Sequence, residues 1–185
     1  MSSLKVVGFA GSLRRASYNR GLLRAAIEGP PAGMEISGFD LEPIPMYNGD
    51  VEARGTPEAV EAFKRAIRGA DGLLIATPEY NYGVPAVLKN AIDWASRPPK
   101  DSPLVGKPVA VMGASPGMGG TIRAQLQLRQ SFVFTQTLCM LQPEVVVAKA
   151  QEKFDAAGNL TDESTRAFLA KMLEAFAAWI RRVRD

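Results

Sequence analysis

The sequence predicts an α/β chain folded as a three-layer sandwich, with a five-stranded parallel sheet between two layers of helices. Three observations carry this. Strand-like and helix-like segments alternate from one end of the chain to the other. Two strand-like segments, Gly72–Thr77 and Pro108–Met112, are dominated by apolar residues, as a parallel strand covered on both faces requires. Small and polar residues gather in stretches 10–20, 78–83 and 113–120, each following a strand. No linker, internal repeat or low-complexity tract breaks the pattern, so residues 1–185 are expected to form one domain.

In chain order, Leu4–Phe9 reads as the first strand and Ala10–Ser17 as its exit loop. A helix over Tyr18–Glu28 follows, with Leu22, Leu23, Ala26 and Ile27 on one face and Gly29-Pro30-Pro31 ending it. Met34–Phe39 is the second strand, and Asp40–Gly55 is a loop. Thr56-Pro57-Glu58 starts the next helix with a capping hydroxyl, a proline and an acid, and Val60, Phe63 and Ile67 mark its buried face. After the strand Gly72–Thr77 comes a helix over Pro85–Ser96 with Val87, Leu88, Ala91, Ile92 and Ala95 inward. Pro108–Met112 leads through Gly113–Gly120 into a helix over Thr121–Phe134. Glu144–Ala148 is the fifth strand. Thr161 is expected to cap a closing helix whose apolar stripe is Phe168, Leu169, Met172, Leu173, Phe176, Ile180 and Val183.

Composition narrows the chemistry. The chain has no histidine, which removes histidine-based triads, histidine-ligated zinc and imidazole acid–base catalysis together. The single cysteine, Cys139, excludes an internal disulfide and any multi-cysteine metal site, and among apolar neighbours it reads as a buried small hydrophobe. No metal site is expected. A net charge of +3 is too small to argue for nucleic acid. No stretch approaches the ~18 consecutive apolar residues of a membrane helix. Leu4–Ala10 is short and contains Lys5, so it reads as a core strand rather than a signal peptide, and a cytoplasmic location is expected. Chemistry at pH 7 without histidine points to a bound cofactor.

Three loops leaving C-terminal strand ends should converge on one rim of such a sheet, where open α/β folds bind ligands. The first places Ser12, Arg14, Ser17 and Asn19 ahead of a helix N-terminus, a setting that suits a phosphate. A capped helix with a solvated basic turn is the plainer reading. The second, Pro78-Glu79-Tyr80-Asn81-Tyr82-Gly83, is stiffened by proline and can lie along a flat heterocycle with a tyrosine over its face. The third, with Ser115 and Gly117, lets a ligand approach backbone. Gly113, Ser115 and Gly117 also match the Gly-x-Ser-x-Gly pattern of a hydrolase nucleophile, but no histidine is present to activate that serine.

Together these loops resemble the NADPH-dependent FMN reductase family of flavodoxin-like proteins, and within it the soluble quinone and chromate reductases. The residues that carry the resemblance are Gly11-Ser12-Leu13-Arg14 with Ser17 and Asn19, Pro78-Glu79-Tyr80-Asn81 with Pro85 and Leu88-Lys89-Asn90-Ala91-Ile92-Asp93-Trp94, and Gly119-Gly120 with Arg123-Ala124-Gln125 and Leu128-Arg129. The resemblance implies a flavodoxin-like fold and two cofactors, FMN and NADPH (or NADH). It implies that Ser12, Arg14, Ser17 and Asn19 hold the FMN phosphate. Pro78, Glu79, Tyr80 and Asn81 would line the isoalloxazine, with Ser115 and Gly117 closing its other side. It further implies a homodimer or homotetramer, with Arg123 and Glu144 at positions used across a tetramer contact. The family often has serine where this chain has Gly83 and glycine where it has Ala86.

The expected activity is transfer of hydride from NAD(P)H through FMN to a small acceptor such as a quinone, flavin, azo compound or chromate, with no catalytic side chain required. Two other readings stand beside it: an FMN electron carrier without nicotinamide activity, and a flavodoxin-like module that no longer holds flavin.

Overall fold

The computed structural model describes residues 3–184. Its elements are β1 (Leu4–Ala10), α1 (Tyr18–Glu28), β2 (Met34–Gly38), α2 (Gly49–Glu52), α3 (Glu58–Gly69), β3 (Gly72–Ala76), α4 (Ala86–Ala95), β4 (Pro108–Ala114), α5 (Ile122–Thr135), β5 (Leu138–Cys139), β6 (Val145–Val147) and α6 (Glu163–Arg184). The sheet is parallel throughout, in the order β2-β1-β3-β4-β5, with β6 also paired to β4. The order reverses between β1 and β3, the switch point of a flavodoxin-like sheet.

Alternate residues of β1, β3 and β4 feed two cores. On one face α1 and α6 cover the sheet through Leu22, Ala26, Leu169, Met172, Phe176 and Ile180. On the other, Val60, Phe63 and Ile67 of α3 pack with Leu88, Ala91 and Trp94 of α4 and Leu128 of α5. Residues Leu73, Leu74, Ala76, Val109, Ala110 and Met112 of the central strands are fully inaccessible, which is why β3 and β4 read as apolar runs without alternation.

Several expectations are corrected. The fifth strand is split: Leu138–Cys139 pairs with Pro108–Val109 at one end of β4, and Val145–Val147 pairs with Met112–Ala114 at the other. That second pairing keeps β4 extended through Gly113 and Ala114, which were expected in its loop. A short helix with Asn48 as its cap forms inside the expected loop 40–55. Thr56 does not cap α3; Pro57 occupies the cap position and makes no side-chain bond. At α6 the capping side chain is Asp162, whose Oδ1 accepts from the Thr165 N–H at 2.8 Å, while the Thr161 hydroxyl donates to the Lys153 carbonyl at 3.2 Å. Phe168 is exposed, so the α6 stripe starts at Leu169. Trp94 was not expected in the core, yet it is fully buried and donates from Nε1 to the Pro45 carbonyl at 2.8 Å.

Candidate functional site

The C-terminal strand ends are stitched into one rim. Gly11 N–H donates to the Ala76 carbonyl, Thr77 N–H to Met112 and Ser115 N–H to Val147, each at 2.9 Å. The three loops singled out above leave from this rim.

In the first loop Ser12, Ser17 and Asn19 are all buried. The Ser17 Oγ accepts from the N–H groups of Asn19 at 3.2 Å and Arg20 at 3.4 Å, so it caps α1. The Asn19 amide is engaged on both sides: Nδ2 donates to the Ala114 carbonyl and Oδ1 accepts from the Ala114 N–H, both at 2.9 Å. Asn19 therefore staples α1 to the end of β4, with one N–H left to offer. The backbone N–H groups of residues 12–16, by contrast, find no acceptor among the described residues. A run of unpaired donors beside a buried serine is a cradle for an anion. Arg14 is exposed, with its guanidinium 5.5 Å from the centre of the Tyr18 ring.

The second loop is braced from both sides. Pro78 is buried. The Glu79 carboxylate turns toward α5, accepting from the N–H groups of Arg123 at 2.9 Å and Ala124 at 3.1 Å and pairing with the Arg123 guanidinium at 3.3 Å. It caps that helix and favours its positive end. The Tyr80 hydroxyl lies 3.3 Å from the Ser12 Oγ, joining the first loop to the second. Asn81 and Tyr82 have φ of 50° and 64°, and the turn they make is closed by paired backbone bonds between Tyr80 and Gly83. Positive φ at both central residues is the pattern of a type I′ turn, which glycine or asparagine normally fills. Tyr82 is exposed and carries the Arg123 guanidinium 4.0 Å from its ring centre. At Gly83 a Cβ would fall 2.8 Å from the Gln127 Oε1, which accepts from the Val84 N–H at 2.7 Å. Gln127 thus holds the space that a serine side chain would need.

The third loop is open. Ser115 is half-buried and its Oγ accepts from the Gly117 N–H at 3.2 Å, the one hydrogen bond of that hydroxyl among the described residues. Gly113 sits inside β4 rather than on a strand-to-helix elbow, so the hydrolase pattern has neither its turn nor its base.

Two joined clefts result. The narrower, about 170 Å³, is lined by Ser12, Arg14, Ser17, Asn19, Pro78, Glu79, Tyr80 and Ser115. The wider, about 530 Å³, is lined by Glu79, Asn81, Ser115 and Gly117 together with Tyr82, Met118 and Arg123. Glu79 and Ser115 belong to both. The residues expected to meet along one rim therefore do. Tyr18 and Met118 were not expected to line it. An aromatic four residues after an arginine at a capped helix start was the available signal for Tyr18; nothing local marks Met118. A larger cleft of about 620 Å³ lies beside edge strand β2 and is lined by Lys5, Met34, Glu35 and Arg65.

Outside the rim, Cys139 is half-buried rather than in the core. Burial pushes its thiol up, and the Arg129 guanidinium, 2.8 Å from Sγ, opposes that shift. Glu144 lies 3.7 Å from the same guanidinium, while Arg123 is turned onto Glu79.

A narrow polar end with unpaired donors and an arginine, continuous with a wider end edged by Tyr82 and Met118, suits a phosphorylated planar ring system. Comparisons with known proteins agree. The family model described as NADPH-dependent FMN reductase matches residues 4–152. The chain is 52% identical over 181 residues to an NAD(P)H-dependent FMN reductase of Pseudomonas aeruginosa, covering 98% of this chain and 97% of that protein. It is 42% identical over 179 residues to a 2-hydroxy-1,4-benzoquinone reductase of a Burkholderia species, covering 97% of each. Among solved structures, the flavoenzyme FerB of Paracoccus denitrificans, an NAD(P)H:(acceptor) oxidoreductase, superposes with a TM-score of 0.84 at 37% identity over 97% of this chain and 98% of its own.

Proposed function

The chain belongs to the NADPH-dependent FMN reductase family, and from that premise we propose that its two joined clefts hold FMN, the phosphate in the narrower part and the ring in the wider one. The protein is an FMN-dependent NAD(P)H oxidoreductase that acts on small acceptors. Bound FMN supplies the two-electron chemistry between the nicotinamide nucleotide and the acceptor.

The protein's own residues supply position and environment. Ser12 and the unpaired N–H groups beside it receive the phosphate, and Arg14 and the Ser17 hydroxyl add to that contact. Asn19 and Glu79 keep the loops in register through α1 and α5. Asn81 borders the ring and Ser115 and Gly117 close its other side, while Pro78 and Tyr80, expected along the ring, line the narrower part instead. No side chain needs to exchange a proton with the acceptor, in keeping with a chain that contains no histidine. The exposed rim at Tyr82 and Met118 leaves room for nucleotide and acceptor to use the ring face in turn. A quinone is the acceptor we favour, as the names of the quinone-reducing relatives support.

The observation that carries this reading is the meeting of Ser12, Tyr80 and Ser115 in one cleft. The experiment is direct: the purified chain should bind FMN, turn yellow and oxidise NADPH or NADH when a quinone is added. A yellow protein inert to both nucleotides would make it a carrier, and a colourless one that takes up no FMN would remove the cofactor altogether.

The proposal extends to a homodimer or homotetramer in the cytoplasm. Ile122, Leu126 and Val133 are exposed and fall on one side of α5, a surface that a second copy would cover. Light scattering that shows a monomer at micromolar concentration would reject it. Among the described residues no helix is long and apolar enough to cross a membrane.

A further inference from the structure

We infer that the turn Phe154–Leu160, which lies beyond the last residue matched by the family model, is a buttress for the first loop and sets how strongly the protein prefers a phosphorylated flavin to an unphosphorylated one. The inference rests on the reading that the first loop receives the FMN phosphate.

The turn is rigid in itself. Phe154 and Leu160 form an antiparallel bridge and are both buried. Asp155 N–H donates to the Asn159 carbonyl at 2.9 Å, and the Asp155 carboxylate accepts from the Asn159 backbone at 2.8 Å and side chain at 2.9 Å. Its inward-facing residue is Gly158, buried and at φ +80°.

It meets the first loop and α1 at successive points. A Cβ on Gly158 would lie 3.3 Å from the backbone of Ala16, the residue before the Ser17 cap. The Phe154 ring lies 5.2 Å from the Tyr18 ring at an interplanar angle of 49°. Tyr18 in turn carries the Arg14 guanidinium 5.5 Å from its centre and lines the narrower cleft. One turn further along α1, a Cβ on Gly21 would fall 1.8 Å from the Gly158 carbonyl oxygen, so only glycine admits that approach. The same oxygen accepts from the Arg24 guanidinium at 3.1 Å. Phe154, Tyr18 and Arg14 thus form a stack from the buttress to the cleft.

The consequence is selective. A loop already held in its bound shape loses less conformational freedom when the ligand arrives, and hydrogen bonds to an anion weaken steeply with misalignment. The ring end of the cleft is braced by other contacts, those of Glu79 with α5 and of Gln127 with Val84. Loosening the buttress should therefore weaken the phosphate contact and leave the ring contact alone. Phe154 and Tyr18 are positioning residues in this account.

The test compares two ligands that share a ring and differ by the phosphate. The full chain and its variants Phe154→Leu, Tyr18→Leu and Tyr18→Phe are titrated with FMN and with riboflavin, and thermal unfolding is followed without ligand. In both leucine variants FMN affinity should fall at least about fivefold while riboflavin affinity stays within about twofold, and Tyr18→Phe should keep the unsubstituted ratio. Equal losses for both ligands, or an unchanged ratio of the two affinities, would overturn the buttress and leave the site reading intact. An unsubstituted chain that does not distinguish FMN from riboflavin would overturn both. If Phe154→Leu fails to fold, Tyr18→Leu reports on the same stack from its other end.

Discussion

The two ends of the cleft are built differently. At the end proposed for the phosphate Ser12, Ser17 and Asn19 are 5%, 3% and 3% exposed, and backbone atoms from β4 hold the Asn19 amide. At the end proposed for the ring Tyr82 and Met118 are 71% and 76% exposed, on a turn of two left-handed residues and a glycine-rich loop. The first end is fixed before any ligand arrives, which suits a resident group gripped by charge-assisted hydrogen bonds. The second is left open, which suits two substrates that must come and go over one ring face. Substitutions should therefore change cofactor retention at one end and turnover at the other.

The sharpest test of that contrast is Asn19→Ala. It leaves the Ala114 N–H and carbonyl unpaired in a buried place and should destabilise the protein by about 2–3 kcal/mol, seen as a lowered unfolding midpoint in denaturant. A midpoint unchanged within error would mean that the phosphate end is not pre-built. Next, Arg14→Ala combined with Ser17→Ala should weaken FMN binding at least tenfold, about 1.4 kcal/mol, measured by fluorescence titration. Unchanged affinity would remove the first loop from the site.

A smaller effect is expected of Glu79→Gln, which weakens the cap on α5 by about 1 kcal/mol and should raise the KM for the acceptor more than it weakens FMN binding. Tyr82→Ala should be the mildest for stability, within about 0.5 kcal/mol, because its ring is exposed and touches mainly Arg123. An FMN affinity that fell as far as in the Arg14 and Ser17 variant would erase the distinction between the two ends.

Acid provides a test at a residue that lines neither cleft. Hydrogen bonds from Thr165 and Ser164 hold the Asp162 carboxyl down to about 2, below its usual 3.8. A depressed carboxylate stabilises the folded state above its ordinary pKa, and that contribution disappears as pH falls from about 4 toward 2. In Asp162→Asn the loss of stability over that window should be shallower, read from unfolding midpoints across pH, with FMN affinity at pH 7 unaltered.

Much of this architecture can be read from residues close together in the chain. Leu4–Phe9, Gly72–Thr77 and Pro108–Met112 declare themselves by apolar content, and α1, α3 and α6 by their periodic faces. The small, polar loops that follow those strands mark the rim. The split fifth strand was hidden because Leu138–Cys139 and Val145–Val147 are too short for any period to show. The cap of α6 was misplaced because Thr161 and Asp162 offer the same chemistry and the Lys153 carbonyl draws the Thr161 hydroxyl away. At α3 the cap position falls one residue later, on a proline with no side chain to bond. Asn19 and Glu79 were expected to contact a ligand; within the chain they bond Ala114 and Arg123, partners that no local pattern shows.

From the sequence alone came the alternation of strands and helices, the layers, the loops that line the two clefts and the exclusion of histidine chemistry, since each depends on residue types within a few positions of one another. The tertiary structure decided which polar groups are free. The partners of Asn19 and Glu79 lie 95 and 44 residues away. Sheet register and helix packing bring such partners together, and no local pattern encodes which N–H is left without an acceptor once they have met.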